Sequence, residues 1–200
     1  MNASWAVIWT SVSSMIPSRK LKPLYTMIIK DDFLPKGAFE NLTSFLTSTK
    51  VSWSFHPCKV SRKESTDSLQ FVHMFYEVYL PPKLRPPVCN DLHPLGNLLH
   101  TLQPSMVLKI KANLTPRTAQ PDKTDFHNDF DTSIPCKTAI YYLNTNNGYT
   151  EFEDGTIIDS IANRLIVFDN GQRHRGVSCT DEKSRYVINF NYFPIPEILA

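Results

Sequence analysis

Apolar and polar positions change rhythm along this chain. Phe39, Leu42, Phe45 and Leu46 recur at helical spacing, the pattern of a helix with one buried face. Leu92, Leu95, Leu98, Leu99 and Leu102 repeat it and predict a second core-facing helix. Short strands are expected at 25–29, 51–55 and 71–79, the last rich in aromatics. From Met106 the period becomes two. The run 107–114 alternates until Pro116, and 138–143, 148–152, 156–161, 164–168 and 185–193 are short, β-branched or aromatic segments. Turn residues separate them: Asn146-Asn147-Gly148, Asp154-Gly155, Asn163 and Asn170-Gly171. Many short strands so punctuated predict a sandwich, barrel or jelly roll, with both helices on the outer face of one sheet.

Residues 1–24 show no period and end in a basic, Pro-containing patch (Arg19, Lys20, Lys22, Pro23). They read as an extension to one domain over 25–200, long enough to bury a sizeable core. The 200 residues hold no internal repeat or low-complexity tract. Fifteen Pro against six Gly suit a β-rich chain with rigid connections. A net charge of +2 argues for neither a nucleic-acid nor a membrane partner. No apolar run reaches the ~18 residues of a membrane span. The mildly apolar stretch 5–16 is broken by Thr10, Ser11, Ser13 and Ser14 and has no basic residue ahead of it, unlike a signal peptide. A cytoplasmic protein is expected. Cys58, Cys89, Cys136 and Cys179 form no CxxC pair and read as reduced thiols. The sequons at Asn2, Asn41 and Asn113 are then chance.

Of six histidines, His56, His93 and His100 read as structural; His73, in an aromatic strand, is compatible with a cavity wall, but nothing around it makes that case. His127 differs in its company. In Asp125-Phe126-His127-Asn128-Asp129-Phe130 an imidazole and a carboxylate lie two residues apart, on one side of an extended segment. His174 follows after about four predicted strands, enough to pass round a jelly roll and return beside the pair. Two His and one carboxylate on one face of a cation form the facial triad of non-haem iron(II) oxygenases. Arg185 opens the last strand, where an inward guanidinium needs an anion and is suited to grip a ligand carboxylate at two points. Arg164 reads as a salt-bridge partner, and Arg173 and Arg175 as solvated charges.

Several segments resemble the iron(II)/2-oxoglutarate dioxygenases, in particular their prolyl-hydroxylase-like branch. These are His127-Asn128-Asp129; the strand Thr138-Ala139-Ile140-Tyr141-Tyr142-Leu143-Asn144; Asn163 to Asp169 followed by His174; and Arg185-Tyr186-Val187-Ile188 leading to Tyr192-Phe193. Lys111-Ala112-Asn113-Leu114 and Asn146-Asn147-Gly148-Tyr149-Thr150 are similar to small phage oxygenases of this class. The resemblance spans roughly the last 170 residues. It implies a double-stranded β-helix core from about 106, with Fe(II) on His127, Asp129 and His174. It also implies 2-oxoglutarate held by Arg185, Tyr142 and, more weakly, Asn113, with O₂ as oxidant and ascorbate as a possible reductant. The chain has Arg185-Tyr186-Val187 where many relatives carry Arg-x-Ser, so any hydroxyl there must come from elsewhere. A carboxylate at Asp129 favours hydroxylation over halogenation. The expected substrate is a prolyl residue of a protein or peptide. The alternatives are a small molecule or nucleobase, or a non-catalytic cupin-like ligand-binding module. The Pro-rich stretch 81–91 and the loop 115–125 are expected to frame the entrance.

Overall fold

Alternation along one long strand, Ser184–Pro194, sorts the core into two layers on either side of a sheet. The computed structural model describes residues 27–56, 69–78 and 88–195; the extension 1–24 and the loop 81–87 lie outside them, as do Cys58 and Tyr79. In chain order the elements are β1 (Ile28–Lys30), α1 (Lys36–Leu46), β2 (Ser54–His56), β3 (Gln70–Glu77), a 3-10 turn (His93–Leu95), α2 (Gly96–Leu102), β4 (Pro104–Pro116), β5 (Lys137–Tyr142), β6 (Asn146–Phe152), β7 (Ile157–Ser160), β8 (Leu165–Asp169), β9 (His174–Val177) and β10 (Ser184–Pro194). They form a seven-stranded sheet, β1-β8-β5-β10-β4-β3-β2, and a three-stranded sheet, β7-β6-β9. All named strand pairs are antiparallel. This is the jelly-roll arrangement expected for the double-stranded β-helix.

Ile188, Phe190 and Tyr192 of β10 join Ala139 and Tyr141 of β5 under Leu42 and Leu46 of α1 and Leu95 and Leu98 of the second helical segment. The helices therefore cover the outer face of the large sheet. The opposite face meets the small sheet. There Ile140, Tyr142, Ile166, Phe168 and Val187 pack with Phe152 and Ile158. Between β4 and β10 this inner face turns polar: the register sets Thr115 opposite Arg185, Asn113 opposite Val187 and Lys111 opposite Asn189. An apolar filling ends where these side chains begin, and a cavity opens.

Several boundaries depart from expectation. The second helix has only seven α-helical residues, entered through the 3-10 turn, and β9 was not anticipated because His174-Arg175-Gly176-Val177 carries no alternation. Asn146-Asn147-Gly148 is not a turn; all three residues lie in β6. Gly148 is required there by contact rather than by φ. An added Cβ would meet the Val177 carbonyl oxygen at 2.8 Å and Arg185 Cδ at 2.9 Å. Gly155 does turn with φ of 93°. Asn163 turns too, at φ 63°. Its side chain accepts from the Leu34 amide and donates to the Leu34 carbonyl, both at 2.9 Å.

Candidate metal centre and its cavity

His174 opens β9 and pairs through its backbone with His127: each amide donates to the other's carbonyl, at 2.9 and 3.0 Å. That bridge brings two histidines distant in the chain side by side, their rings 5.1 Å apart. Asp129 follows closely. Its Oδ1 lies 3.7 Å from His127 Nε2 and its Oδ2 3.4 Å from His174 Nε2. One ligand atom from each of the three falls within 4.8 Å of the others. Donors at about 2.1 Å from a shared cation sit roughly 3 Å apart when adjacent, so a small contraction closes the set.

The tautomers suit that role. His127 Nδ1 faces the Asp125 carbonyl at 3.1 Å and His174 Nδ1 the Gln172 carbonyl at 3.2 Å. A carbonyl only accepts, so each Nδ1 carries the proton and leaves an Nε2 lone pair toward the centre. Burial pulls the His127 pKa below its ordinary value despite the attraction of Asp129, so the ring is neutral and able to ligate. Burial alone would raise the Asp129 carboxyl. Its polar and cationic surroundings, Lys111 among them, nevertheless hold it well below the usual range. Asn189 Nδ2 also donates to Asp129 Oδ2 at 2.7 Å. Two neutral imidazoles and one carboxylate fit a divalent first-row metal.

Arg185 is 5% exposed. Its Nε donates to Ser160 Oγ at 2.8 Å and its Nη2 to Thr150 Oγ1 at 3.0 Å. Thr150 also accepts from the Tyr142 hydroxyl at 2.8 Å, and the guanidinium lies 5.5 Å from the Tyr142 ring centre. Among the described residues no carboxylate comes within ion-pairing distance of it, and burial pulls its pKa down. A buried cation held only by hydroxyls is costly and awaits an anion.

One cavity is lined by His127, Asp129, His174, Arg185 and Asn113 together. Asn113 donates to Asn189 Oδ1 at 3.3 Å, and its own Oδ1 has no partner among the described residues. Tyr142 stands apart from the cavity wall, fully buried, touching Arg185 through Thr150. Of the expected entrance loops, Thr115 and Thr124 reach the cavity. His73 does not: its Nδ1 faces the Ser52 carbonyl, and its ring packs on Trp53 and Phe75 in the helix-side core. Alternation puts it on the outer face with Ala112. Arg164 forms a two-point ion pair with Asp31. Arg173 and Arg175 are not merely solvated. Arg173 pairs with Glu153, and Arg175 with Glu151 while covering the Phe126 ring at 4.2 Å.

Sequence reasoning missed Asn189, Lys111, Ser160 and Thr150. Stepping by two along β10 from Arg185 reaches Asn189, and along β4 from Asn113 reaches Lys111, so the first two carried a signal. Ser160 and Thr150 come from the other sheet and carried none.

No family model and no curated protein matches the sequence. Solved structures share the fold. A prolyl hydroxylase from Trichoplax adhaerens, in complex with a hypoxia inducible factor oxygen degradation domain peptide fragment, aligns with a TM-score of 0.56 at 17% identity over 84% of this chain and 83% of that one. A prolyl-4-hydroxylase from Pseudomonas putida aligns at 0.53 and 14% identity over 85% and 94%. A 2OG-Fe(II) oxygenase family oxidoreductase from Burkholderia pseudomallei aligns at 0.56 and 10% identity over 84% of each chain.

Proposed function

We propose that this chain is an Fe(II)- and 2-oxoglutarate-dependent oxygenase that hydroxylates its substrate with release of succinate and carbon dioxide. One observation carries the reading: a buried guanidinium with no anion beside it among the described residues shares a cavity with a cluster of two histidines and one carboxylate. Arg185 and Asn189, the residue that steadies Asp129, stand four positions apart on one strand, about 13 Å. That span accommodates a five-carbon diacid between the metal ligands and the guanidinium.

In this reading His127, Asp129 and His174 hold iron, which with 2-oxoglutarate supplies the activation of O₂. Arg185 takes the far carboxylate of 2-oxoglutarate, oriented by Ser160 and Thr150. Tyr142, its hydroxyl kept protonated by burial, acts through Thr150. The oxygen of Asn113, unpartnered among the described residues, accepts a hydrogen bond from a bound water or ligand. Ile140 and Val187 form the apolar stretch of the wall, excluding water from the middle of the cosubstrate. A prolyl residue in a protein or peptide is the first substrate proposed, because two of the fold neighbours are prolyl hydroxylases and one holds a peptide.

The test is calorimetric titration of the anaerobic full chain with Mn(II), then with N-oxalylglycine, an unreactive mimic of 2-oxoglutarate. Metal-dependent binding of the mimic is expected, with succinate formed from 2-oxoglutarate when Fe(II), ascorbate and air are supplied. Metal binding without any binding of the mimic would favour a cupin-like module instead.

A further inference from the structure

The cavity contains a second cation that the chemistry above leaves unused. Lys111 lies on the inner face of β4 opposite Asn189 and lines the same cavity as the triad. Among the described residues no hydrogen bond or ion pair within 4.0 Å engages its ammonium, and its electrostatic neighbours are Lys109, Asp129 and Glu77. Asp129 is already shared by the two histidines and Asn189. Glu77 has a nearer cation in Lys109, whose Nζ lies 3.8 Å away and also donates to the Asp129 carbonyl at 3.4 Å. Burial pulls the Lys111 pKa down to about 8, so the side chain still carries its charge near neutrality.

Charge balance indicates what is missing. A divalent metal, Asp129, the two carboxylates of 2-oxoglutarate and Arg185 together sum to zero. Lys111 is the surplus. It stands at the metal end of the cavity, on the level of Asn189, while Arg185 occupies the other end. A half-buried ammonium in the cavity wall is stabilised by an anion arriving with the ligand. We infer that Lys111 receives a carboxylate of the substrate, so that the enzyme acts on an acidic molecule whose reacting carbon lies a few bonds from that group. The inference rests on the iron and 2-oxoglutarate reading. A single ammonium, two positions from Asn113 on its own strand and opposite Asn189, balances one negative charge. A phosphate would bring nearly two charges and three strong acceptors, more than this wall answers. The carboxylate belongs either to a free acid or to an Asp or Glu side chain beside the hydroxylated residue of a peptide.

The experiment uses the full chain loaded with Mn(II) and N-oxalylglycine, with binding read by ligand-observed NMR and calorimetry. The probes are the free amino acids and a set of Asp- or Glu-containing pentapeptides, each beside its carboxamide counterpart. At least one acid is expected to bind tenfold or more tightly than its amide. Lys111→Met should erase that preference and Lys111→Arg should retain it, and the arm in which the acid appears identifies its source. The inference is overturned if no acid outbinds its amide, if the preference survives in Lys111→Met, or if Lys111→Met abolishes N-oxalylglycine binding, which would assign the ammonium to the cosubstrate. Should Lys111→Met fail to fold, Lys111→Gln and the wild-type acid and amide pairs decide the matter. Failure of wild-type protein to bind Mn(II) and N-oxalylglycine overturns the parent reading, and that is measured first.

Discussion

Replacing Arg185 with Met separates two quantities that a structural arginine would lose together. In the unliganded protein the guanidinium is buried among Ser160, Thr150 and the Tyr142 ring, with no carboxylate paired to it among the described residues. Removing it relieves a desolvation penalty of several kcal/mol. It also deletes two hydrogen bonds to a charged donor, about 1.5–3 kcal/mol each. The two effects are of similar size. The unliganded variant should therefore lie within about 2 kcal/mol of wild type, against the about 3–5 kcal/mol lost when one partner of a buried ion pair is removed. Ligand binding behaves otherwise. Loss of the cation facing a buried carboxylate costs about 2–5 kcal/mol, so N-oxalylglycine affinity should fall by at least ~30-fold. In thermal unfolding with Mn(II), N-oxalylglycine at one hundred times its Kd adds about 2.7 kcal/mol to wild type, or about 5–10 °C for a chain of this size. The same ligand concentration should shift Arg185→Met by less than ~3 °C, the residue of a 30-fold weaker site. A full shift in the variant, or an unliganded stability more than about 3 kcal/mol below wild type, would refute the reasoning.

Gly148→Ala should cost about 1–3 kcal/mol in denaturant unfolding, because the new methyl meets the Val177 carbonyl and the Arg185 stem below 3.0 Å; it should also weaken N-oxalylglycine binding, since one of the displaced groups is Arg185. Asn163→Ala removes both hydrogen bonds to the Leu34 backbone and the one from the Tyr141 hydroxyl and leaves a β-carbon at φ 63°. A loss of about 3 kcal/mol is expected, read by chemical denaturation. His127 titrates below its ordinary value of 6.5 in the folded protein because it is buried. The unfolded chain then takes up the proton first, so the stability from this group is complete above about pH 6.5 and declines as pH falls toward the folded pKa. His56 shifts the same way through burial. Melting temperatures in EDTA from pH 5 to 8 should fall on the acid side, and His127→Gln should flatten part of that slope. His174→Ala should abolish Mn(II) binding measured by EPR, as the triad loses its most buried imidazole.

Periodicity carries information only about the face a residue occupies. It therefore placed Leu42 and Leu46, the alternation of β4 and β10, and the inward turn of Arg185, all of which depend on neighbours close in sequence. It failed where the reason for a residue is a distant backbone. Gly148 looks like a turn glycine because Asn-Asn-Gly is turn chemistry, yet the Val177 carbonyl and Arg185 Cδ are what exclude a β-carbon there. The aromatics around His73 left its side of the sheet open; the strand partner Ala112 settles it.

By itself the sequence determined the β-rich class, the two helices and the spacing of two histidines, a carboxylate and an arginine, since propensity and period are local properties of the chain. Only tertiary structure decided that His127 and His174 share a backbone bridge. The same is true of the hydroxyls that hold Arg185, which cross from the small sheet, and of Lys111, whose ammonium faces the cavity without a partner among the described residues. Those are distances between segments far apart in the chain, set by how two sheets close on each other, and no residue announces them alone.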